Sequence, residues 1–263
     1  MELVPAKEGA TDLEALSALL DNQVACVVYQ QPNYFGILED APALTAATHA
    51  AGAKAIASCN PISLGLMETP AQAGADIAVG EGQPLGMPLS FGGPYLGFMA
   101  CTQELMRKLP GRIVGQTTDS DGKRGFVLTL QAREQHIRRE KASSNICSNE
   151  ALCALTASVY LAAMGPKGLA QAATLCCSKA HYLQQALAEA GLAPVYDKEF
   201  FHEFVTRCPV EPEKLLGRLE AAGYLGGLPL ENGDLLWCAT EQNTKQEIDS
   251  LAALVKEVLS GRN

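Results

Sequence analysis

The sequence is short of positive charge, and its cysteines lack the spacing of a zinc or redox site. Lys and Arg number 20 against 29 Asp and Glu, so the formal net charge is −9; this argues against a nucleic-acid surface, which needs clustered basic residues. The nine cysteines include no C-x-x-C pair, which predicts free thiols in a reducing cytosol. No apolar run predicts a membrane span, and no signal peptide is recognisable. We therefore expect a cytoplasmic protein that binds neither nucleic acid nor membrane.

Lysine is missing from a long internal stretch. None occurs between Lys54 and Lys108, so this stretch offers no amine for an imine with a carbonyl cofactor. The histidines His49, His181 and His202 are isolated in the sequence, and no HExxH or Ser/His/Asp arrangement is present. We interpret these histidines as structural or surface residues and predict no metal site and no nucleophilic mechanism.

The N-terminal half alternates apolar runs with helical patterns. A helix is predicted to begin near Thr11 and Asp12, and another to cover Ala41 to Ala51. The run from Val24 to Tyr29 is continuous enough to predict a strand covered on both faces. Alternation of this kind predicts βαβ units and a mostly parallel sheet. The predicted strands are Val24–Tyr29, Lys54–Ser58, Asp76–Val79 and Gly97–Cys101.

The pattern changes in the C-terminal half. Two long helices are predicted first, followed by strands and helices that indicate a small α+β domain. We expect a division of the chain into residues 1–165, a large domain with a mostly parallel sheet, and residues 166–263, a long helix and the small domain. The predicted elements are Asn149–Met164, Gly168–Ala190, Glu211–Ala222 and Lys245–Ser260 as helices, with Phe200–Arg207 and Asp234–Thr240 as strands.

Four segments carry a resemblance to a known family. They are Gln30–Gly36, Phe91–Gly97, Gly111–Thr117 and the long charged run Gly125–Cys147. Together they resemble glycine decarboxylase, the P-protein of the glycine cleavage system, and specifically subunit 1 (alpha) of its two-subunit form. The resemblance implies the pyridoxal-phosphate (PLP)-dependent transferase fold of type I, truncated at its N-terminus, with a small α+β domain after it. Since family members carry a long segment before the point that matches Glu2, we expect a C-terminal portion, with a naturally short form as the alternative.

The resemblance also locates the residues that would hold PLP in an active chain. The carboxylate that pairs with the pyridine nitrogen falls at Ala57, and the Schiff-base lysine falls at Gln83, or at Pro84 if the alignment shifts by one. Asn60, Gly92 and Gly93 keep the shape of the site, although the same residues are common in ordinary turns. Because lysine and carboxylate are both missing, we expect no covalent PLP in this chain and place the cofactor in the partner subunit.

The segment from Arg133 to Asn145 allows two interpretations. Charged runs are usually solvated helix faces, and Glu134 and Arg138 have the spacing of an i,i+4 pair. Alternatively, the segment reaches the active site of a partner subunit, where Arg side chains could bind a carboxylate and hydroxyls could donate to a phosphate. The candidates for that role are Arg133, His136, Arg138, Arg139, Lys141, Ser143, Ser144 and Asn145.

Three functions remain open on the sequence. The resemblance implies a non-catalytic subunit 1 that supports glycine decarboxylation by subunit 2, with the aminomethyl group passing to the lipoyl arm of the H-protein. An independent PLP enzyme that uses another lysine, with Lys54 and Lys123 nearest in sequence, is the second. A binding or structural protein with the same fold is the third.

Overall fold

The computed structural model describes residues 1–131, 134–142 and 150–261. Within these ranges the chain forms eleven β-strands and six α-helices, besides short 3₁₀ turns. In chain order they are β1 (Ala6–Lys7), β2 (Ala10–Thr11), α1 (Leu13–Leu19), β3 (Cys26–Gln31), α2 (Ala41–Ala50), β4 (Lys54–Cys59), β5 (Ile77–Glu81), β6 (Gly97–Cys101), β7 (Ile113–Thr118), β8 (Arg124–Thr129), α3 (Gln135–Arg138), α4 (Ala151–Ala190), β9 (Glu203–Thr206), α5 (Pro212–Ala221), β10 (Leu228–Pro229), β11 (Leu235–Cys238) and α6 (Lys245–Leu259).

The four strands predicted for the N-terminal half form one sheet in the order β3-β4-β5-β6. The first three are parallel, and β6 runs antiparallel to β5. Ala57 lies in the centre, between Tyr29 of β3 and Ala78 of β5. The prediction of a mostly parallel sheet is confirmed, with no strand end shifted by more than two residues.

The prediction that the first strand is covered on both faces is wrong. Tyr29 is 6% exposed and points into the core, but Val28, its neighbour on the opposite face, is 64% exposed. Side chains alternate along a strand, so the outward face of β3 also presents Cys26. This strand is the edge of the sheet, and the described part of the chain leaves that face open.

The two long helices predicted for the second half are joined as α4. Gly165 interrupts them with dihedral angles of φ 61° and ψ 179°, immediately before Pro166, and both residues disfavour a continuous helix. By length and composition alone, α4 could cross a membrane, which the sequence analysis did not anticipate. A single such helix is weak evidence, because helices in protein cores meet the same criteria.

Three apolar clusters hold the elements together. The first lies between the N-terminal sheet and α1 and α2, around Leu16, Leu44 and Ala55. The second, around Leu85 and Phe201, joins the sheet region to α4. The third fills the C-terminal region between the three-stranded sheet β10-β11-β9 and the helices α4, α5 and α6. The division at residue 165 stays a prediction.

A hairpin of β7 and β8 was not predicted. Its strands pair from Ile113 and Thr129 to Thr118 and Arg124. In the turn, the Asp119 carboxylate accepts hydrogen bonds from two backbone N–H groups, each at 2.9 Å. Asp-Gly, here Asp121 followed by Gly122, is a common hairpin turn, and this signal could have revealed the strands.

Candidate functional site

A cavity of about 280 Å³ lies beside the carboxyl ends of β3 and β4. In open α/β sheets, ligands bind in the crevice at this edge. Ala57 contributes to the wall, as do Tyr29, Gln31 and Cys59 from the same two strands. The remaining wall comes from the start of α2 and the segment after β4, and is formed by Leu38, Glu39, Ala41, Pro42, Ser63, Leu64, Met67, Glu68, Pro70 and Ala73.

Two ionisable groups of the cavity wall, the Tyr29 phenol and the Cys59 thiol, are uncharged at neutral pH. Burial raises the pKa of the Tyr29 phenol, and the nearby Cys59 adds to that effect, against a smaller opposing effect of the hydrogen bond with Thr45. Burial also raises the pKa of the Cys59 thiol. Both groups are therefore neutral, and Ala57 between them is 1% exposed. Glu39 contributes a carboxylate at the rim, but that group accepts hydrogen bonds from the Thr11 backbone N–H and the Asn33 amide.

Asn60 and Gln83 each make local contacts. The Asn60 side chain accepts a hydrogen bond from the Ile62 backbone N–H at 2.9 Å, and its own carbonyl accepts one from the Ser63 hydroxyl. The Gln83 amide donates to the Met87 carbonyl at 2.7 Å. These contacts shape the two loops that follow β4 and β5. Neither residue belongs to the wall of the cavity around Ala57.

Gly92 and Gly93 lie in a turn between β5 and β6. Both have positive φ angles, 115° and 125°, which side-chain-bearing residues rarely adopt. The preceding Phe91 is 98% exposed. The turn does not contribute to the cavity wall around Ala57, so the structure does not bring these glycines together with that residue.

Most of the described part of the charged segment lies at the surface, although Glu134 at its start is buried. His136 and Arg138 belong to the four-residue helix α3, and Arg139 and Lys141 to the 3₁₀ turn after it. All four are exposed. The remaining candidates, Arg133, Ser143, Ser144 and Asn145, lie outside the described residues.

Lys54 is held at the opposite end of its strand from the cavity. It is the first residue of β4, whereas Cys59 is the last. Its ammonium group lies 2.9 Å from one Asp76 oxygen, while the other Asp76 oxygen accepts from the Ala55 backbone N–H at 2.9 Å and lies 2.7 Å from the His49 ring. Burial alone raises the pKa of Asp76, but these hydrogen bonds outweigh it and hold the pKa at about 2. The three side chains form an ion network that joins α2, β4 and the start of β5.

Solved structures with low sequence identity show the class of fold. A NifS-like protein superposes with a TM-score of 0.68 at 15% identity, covering 99% of this chain and 68% of its own. The aspartate aminotransferase of subgroup IV from Thermus thermophilus superposes with a TM-score of 0.66 at 18% identity. The match covers 96% of this chain and 68% of the aminotransferase chain. The chain therefore has the type I fold of PLP-dependent enzymes, as the resemblance implied.

Closer relatives show the family. A family model described as glycine cleavage system P-protein matches residues 4–255, and the chain belongs to that family. The probable glycine dehydrogenase (decarboxylating) subunit 1 of Moorella thermoacetica is 53% identical over 98% of this chain and 60% of its own length. The protein of the same name from Desulfitobacterium hafniense is 49% identical over 97% of this chain and 59% of its own length. The chain thus spans about 60% of the length of these curated relatives.

A solved structure supports the same assignment. The crystal structure of glycine decarboxylase (P-protein) of the glycine cleavage system, in inhibitor-bound form, superposes with a TM-score of 0.91 at 43% identity. The match covers 97% of this chain and 59% of the chain in the crystal structure.

Two of the histidines have neighbours that the sequence did not reveal. His49 contacts Asp76, and His202 lies beside Glu203 and Cys238, so that one potential ligand atom from each lies within 4.8 Å of the others. Both groupings depend on strand pairing between distant segments. The adjacent residues His202 and Glu203, at the start of a strand, were a sequence signal for this cluster. Its third member, Cys238, could not be found from spacing because it lies on a distant strand.

Proposed function

We propose that this chain acts as part of subunit 1 of a two-subunit glycine decarboxylase and does not itself hold PLP. The observation that carries the proposal is the cavity at the sheet edge. Ala57 stands where the resemblance implies a carboxylate, and no lysine lines the cavity among the described residues. The high identity to proteins named subunit 1 supports the same function.

The residues present do not fit a covalently bound PLP. When bound, PLP supplies an electron-accepting ring, and enzymes hold it through a lysine imine and a carboxylate at the pyridine nitrogen. Here the described cavity wall includes no basic side chain, its carboxylates belong to Glu39 and Glu68 rather than to residue 57, and Gln83 is turned to the Met87 carbonyl. We therefore place PLP, glycine and the chemistry in subunit 2, with the lipoyl H-protein receiving the aminomethyl group from the assembled, cytoplasmic enzyme.

Lys54 and Lys123 are poorly suited to bind PLP as an imine, as an independent PLP enzyme would require. Lys54 is engaged by Asp76 at the opposite end of β4, and the hydrogen bond to Asp76 raises the pKa of this amine, which disfavours the neutral nucleophile. Lys123 lies in the turn between β7 and β8. Neither belongs to the cavity wall.

Two apolar surfaces support association with a partner. On the hairpin, Val114, Phe126 and Leu128 share one face and are 57%, 62% and 51% exposed. A two-stranded hairpin with this much exposed apolar area is marginally stable alone. We call this surface the hairpin face.

The second surface lies on the first half of α4. Leu152, Leu155 and Val159 have the i, i+3, i+7 spacing of one helix face and are 76%, 60% and 60% exposed. Its other side, with Cys153 and Ala157, is buried. We call the exposed side the α4 face and propose that both faces contact subunit 2.

Reduction with borohydride tests where PLP is bound. The chain and a separately purified subunit 2 homologue are mixed with PLP, reduced, digested and mapped by mass spectrometry. We expect a stoichiometric lysine adduct in subunit 2 alone. A stoichiometric adduct on Lys54, Lys123 or any other lysine of this chain, together with a visible imine absorbance that shifts with glycine, would establish the independent enzyme instead.

A second experiment tests the partner surfaces. Leu155→Asp and Leu128→Asp are expected to weaken association with subunit 2 by at least about tenfold each, because a charge would have to be desolvated in the interface. Leu225→Asp is the matched control, since Leu225 is 94% exposed but lies on neither face. Equal binding by all three variants would contradict the assignment of the surfaces. Failure of the unmodified chain to bind subunit 2 would favour the free-standing binding or structural protein.

A further inference from the structure

Strand pairing in the C-terminal region brings together three side chains of ligand type. Glu203 begins β9 and Cys238 ends β11, and the two residues are direct partners in the antiparallel register. His202 precedes Glu203, and its carbonyl accepts a hydrogen bond from the Ala239 backbone N–H at 3.1 Å. The backbone at this end of the sheet therefore fixes the imidazole, the carboxylate and the thiol in one place.

The spacing of these groups suits a single small cation. One potential ligand atom from each of His202, Glu203 and Cys238 lies within 4.8 Å of the other two. In a tetrahedral zinc site, metal–ligand distances of about 2.0–2.3 Å place ligand atoms about 3.4–3.8 Å apart. Small side-chain rotations would close that difference, without movement of the paired strands.

His202 has a buried nitrogen that needs a partner. Its Nδ1 atom is shielded from solvent and has no hydrogen-bond partner among the described residues. Leaving a buried polar atom unpaired is costly and uncommon in folded proteins. In the neutral tautomer that carries its proton on Nε2, the imidazole offers the Nδ1 lone pair to a metal.

A cavity gives access to the cluster. Its volume is about 400 Å³, and Glu203 and Cys238 form part of its wall together with Leu183, Tyr224 and Trp237. Cys238 is exposed, and both its thiol and the Glu203 carboxylate belong to residues of this wall, so a cation can reach them from the cavity.

We propose that His202, Glu203 and Cys238 bind one Zn²⁺ ion, whose fourth coordination position opens onto the cavity. Imidazole nitrogen, carboxylate oxygen and thiolate sulfur are the ligand types of protein zinc sites, and three protein ligands leave one position for water. On binding, the Cys238 thiol releases its proton to solvent, and the thiolate forms the Zn–S bond. The ion would join the start of β9 to the end of β11, away from the cavity around Ala57.

Cobalt titration tests this site in the purified chain. After dialysis against a chelator, Co²⁺ is added and the absorbance is recorded. We expect a thiolate-to-cobalt charge-transfer band and ligand-field bands that saturate at one equivalent and disappear on addition of Zn²⁺. Cys238→Ser should abolish the charge-transfer band. His202→Asn and Glu203→Gln should each weaken binding by more than about tenfold to a hundredfold, the cost of losing only an outer-shell partner.

The control variant is Cys26→Ser, since Cys26 is an exposed cysteine on β3 and lies outside the cluster. It should leave the spectrum unchanged. Circular dichroism of every variant shows whether the fold is retained, and Cys238→Ser is a mild change at a solvent-accessible thiol. Absence of a saturable band in the unmodified chain, or a charge-transfer band that survives in folded Cys238→Ser, would overturn the proposal. Zinc binding is independent of PLP and of subunit 2, so its failure leaves the proposed function untouched.

Discussion

Apolar residues are buried in one region of the molecule and exposed in another. The first is the C-terminal region, and the second is the β7–β8 hairpin together with the first half of α4. In the C-terminal region Leu215, Leu219, Leu235 and Val255 are all 0% exposed and pack against one another. On the hairpin face and the α4 face, apolar side chains of similar size stay more than half exposed. Burial of a large apolar side chain stabilises a fold by about 1.5–3 kcal/mol. One region therefore holds its own structure together, whereas the other exposes the apolar area that we propose contacts subunit 2.

The largest effect on folding is expected in the C-terminal core. Leu235→Ala removes a fully buried side chain from β11 and leaves a cavity, which should lower the free energy of unfolding by about 2–5 kcal/mol. Leu128→Ala, an exposed leucine of the hairpin face, is the matched control and should change it by less than about 0.5 kcal/mol. Chemical denaturation measures both. Equal losses in the two variants would remove the distinction between the regions.

A smaller effect is expected at the ion network of the N-terminal sheet. Asp76→Asn replaces a carboxylate, 7% exposed, that accepts hydrogen bonds from Lys54 and Ala55 and contacts His49. The free energy of unfolding of this variant should be lower by roughly 1.5–3 kcal/mol, the usual contribution of a hydrogen bond to a charged group. Denaturation at neutral pH measures this change, and Asp40→Ala, which removes only the side-chain cap of α2, should cost about 1 kcal/mol.

The same network predicts a dependence of stability on pH. The pKa of Asp76 is held at about 2 in the folded chain, below the ordinary value of about 3.9 in an unfolded chain. The unfolded state therefore binds the proton first, and the contribution of Asp76 is fully present above about pH 4 and is lost as the pH falls towards 2. Unfolding curves between pH 5 and 2 should show a steeper loss for the natural chain than for Asp76→Asn. Parallel curves would mean that the network adds no stability.

The contrast between the regions also explains what could be read from the sequence. Apolar runs such as Lys54–Ser58 identify strands because burial selects them, and their alternation with helical patterns predicted the mostly parallel sheet. Exposed apolar residues such as Val28 and Phe126 are of the same types as buried ones. The sequence therefore could not show which face of a strand is exposed. The groupings of Asp76 with His49, and of Cys238 with Glu203, arise from strand register and tertiary packing, which no local spacing encodes.

The smallest effect on stability is expected in the charged segment, and it sharpens the comparison between the self-supporting region and the surfaces proposed to contact subunit 2. His136 is exposed on the short helix α3, so His136→Ala should change the free energy of unfolding by less than about 0.5 kcal/mol. If the segment reaches the active site of subunit 2, the same variant should lower kcat/KM of the reconstituted enzyme about tenfold, through loss of a charge-assisted contact. Lys214→Ala, on α5 of the self-supporting region, is the control and should leave both quantities unchanged. A thermal shift without loss of activity in His136→Ala would assign the segment to the chain's own structure, and unchanged stability and activity together would favour the solvated-helix interpretation.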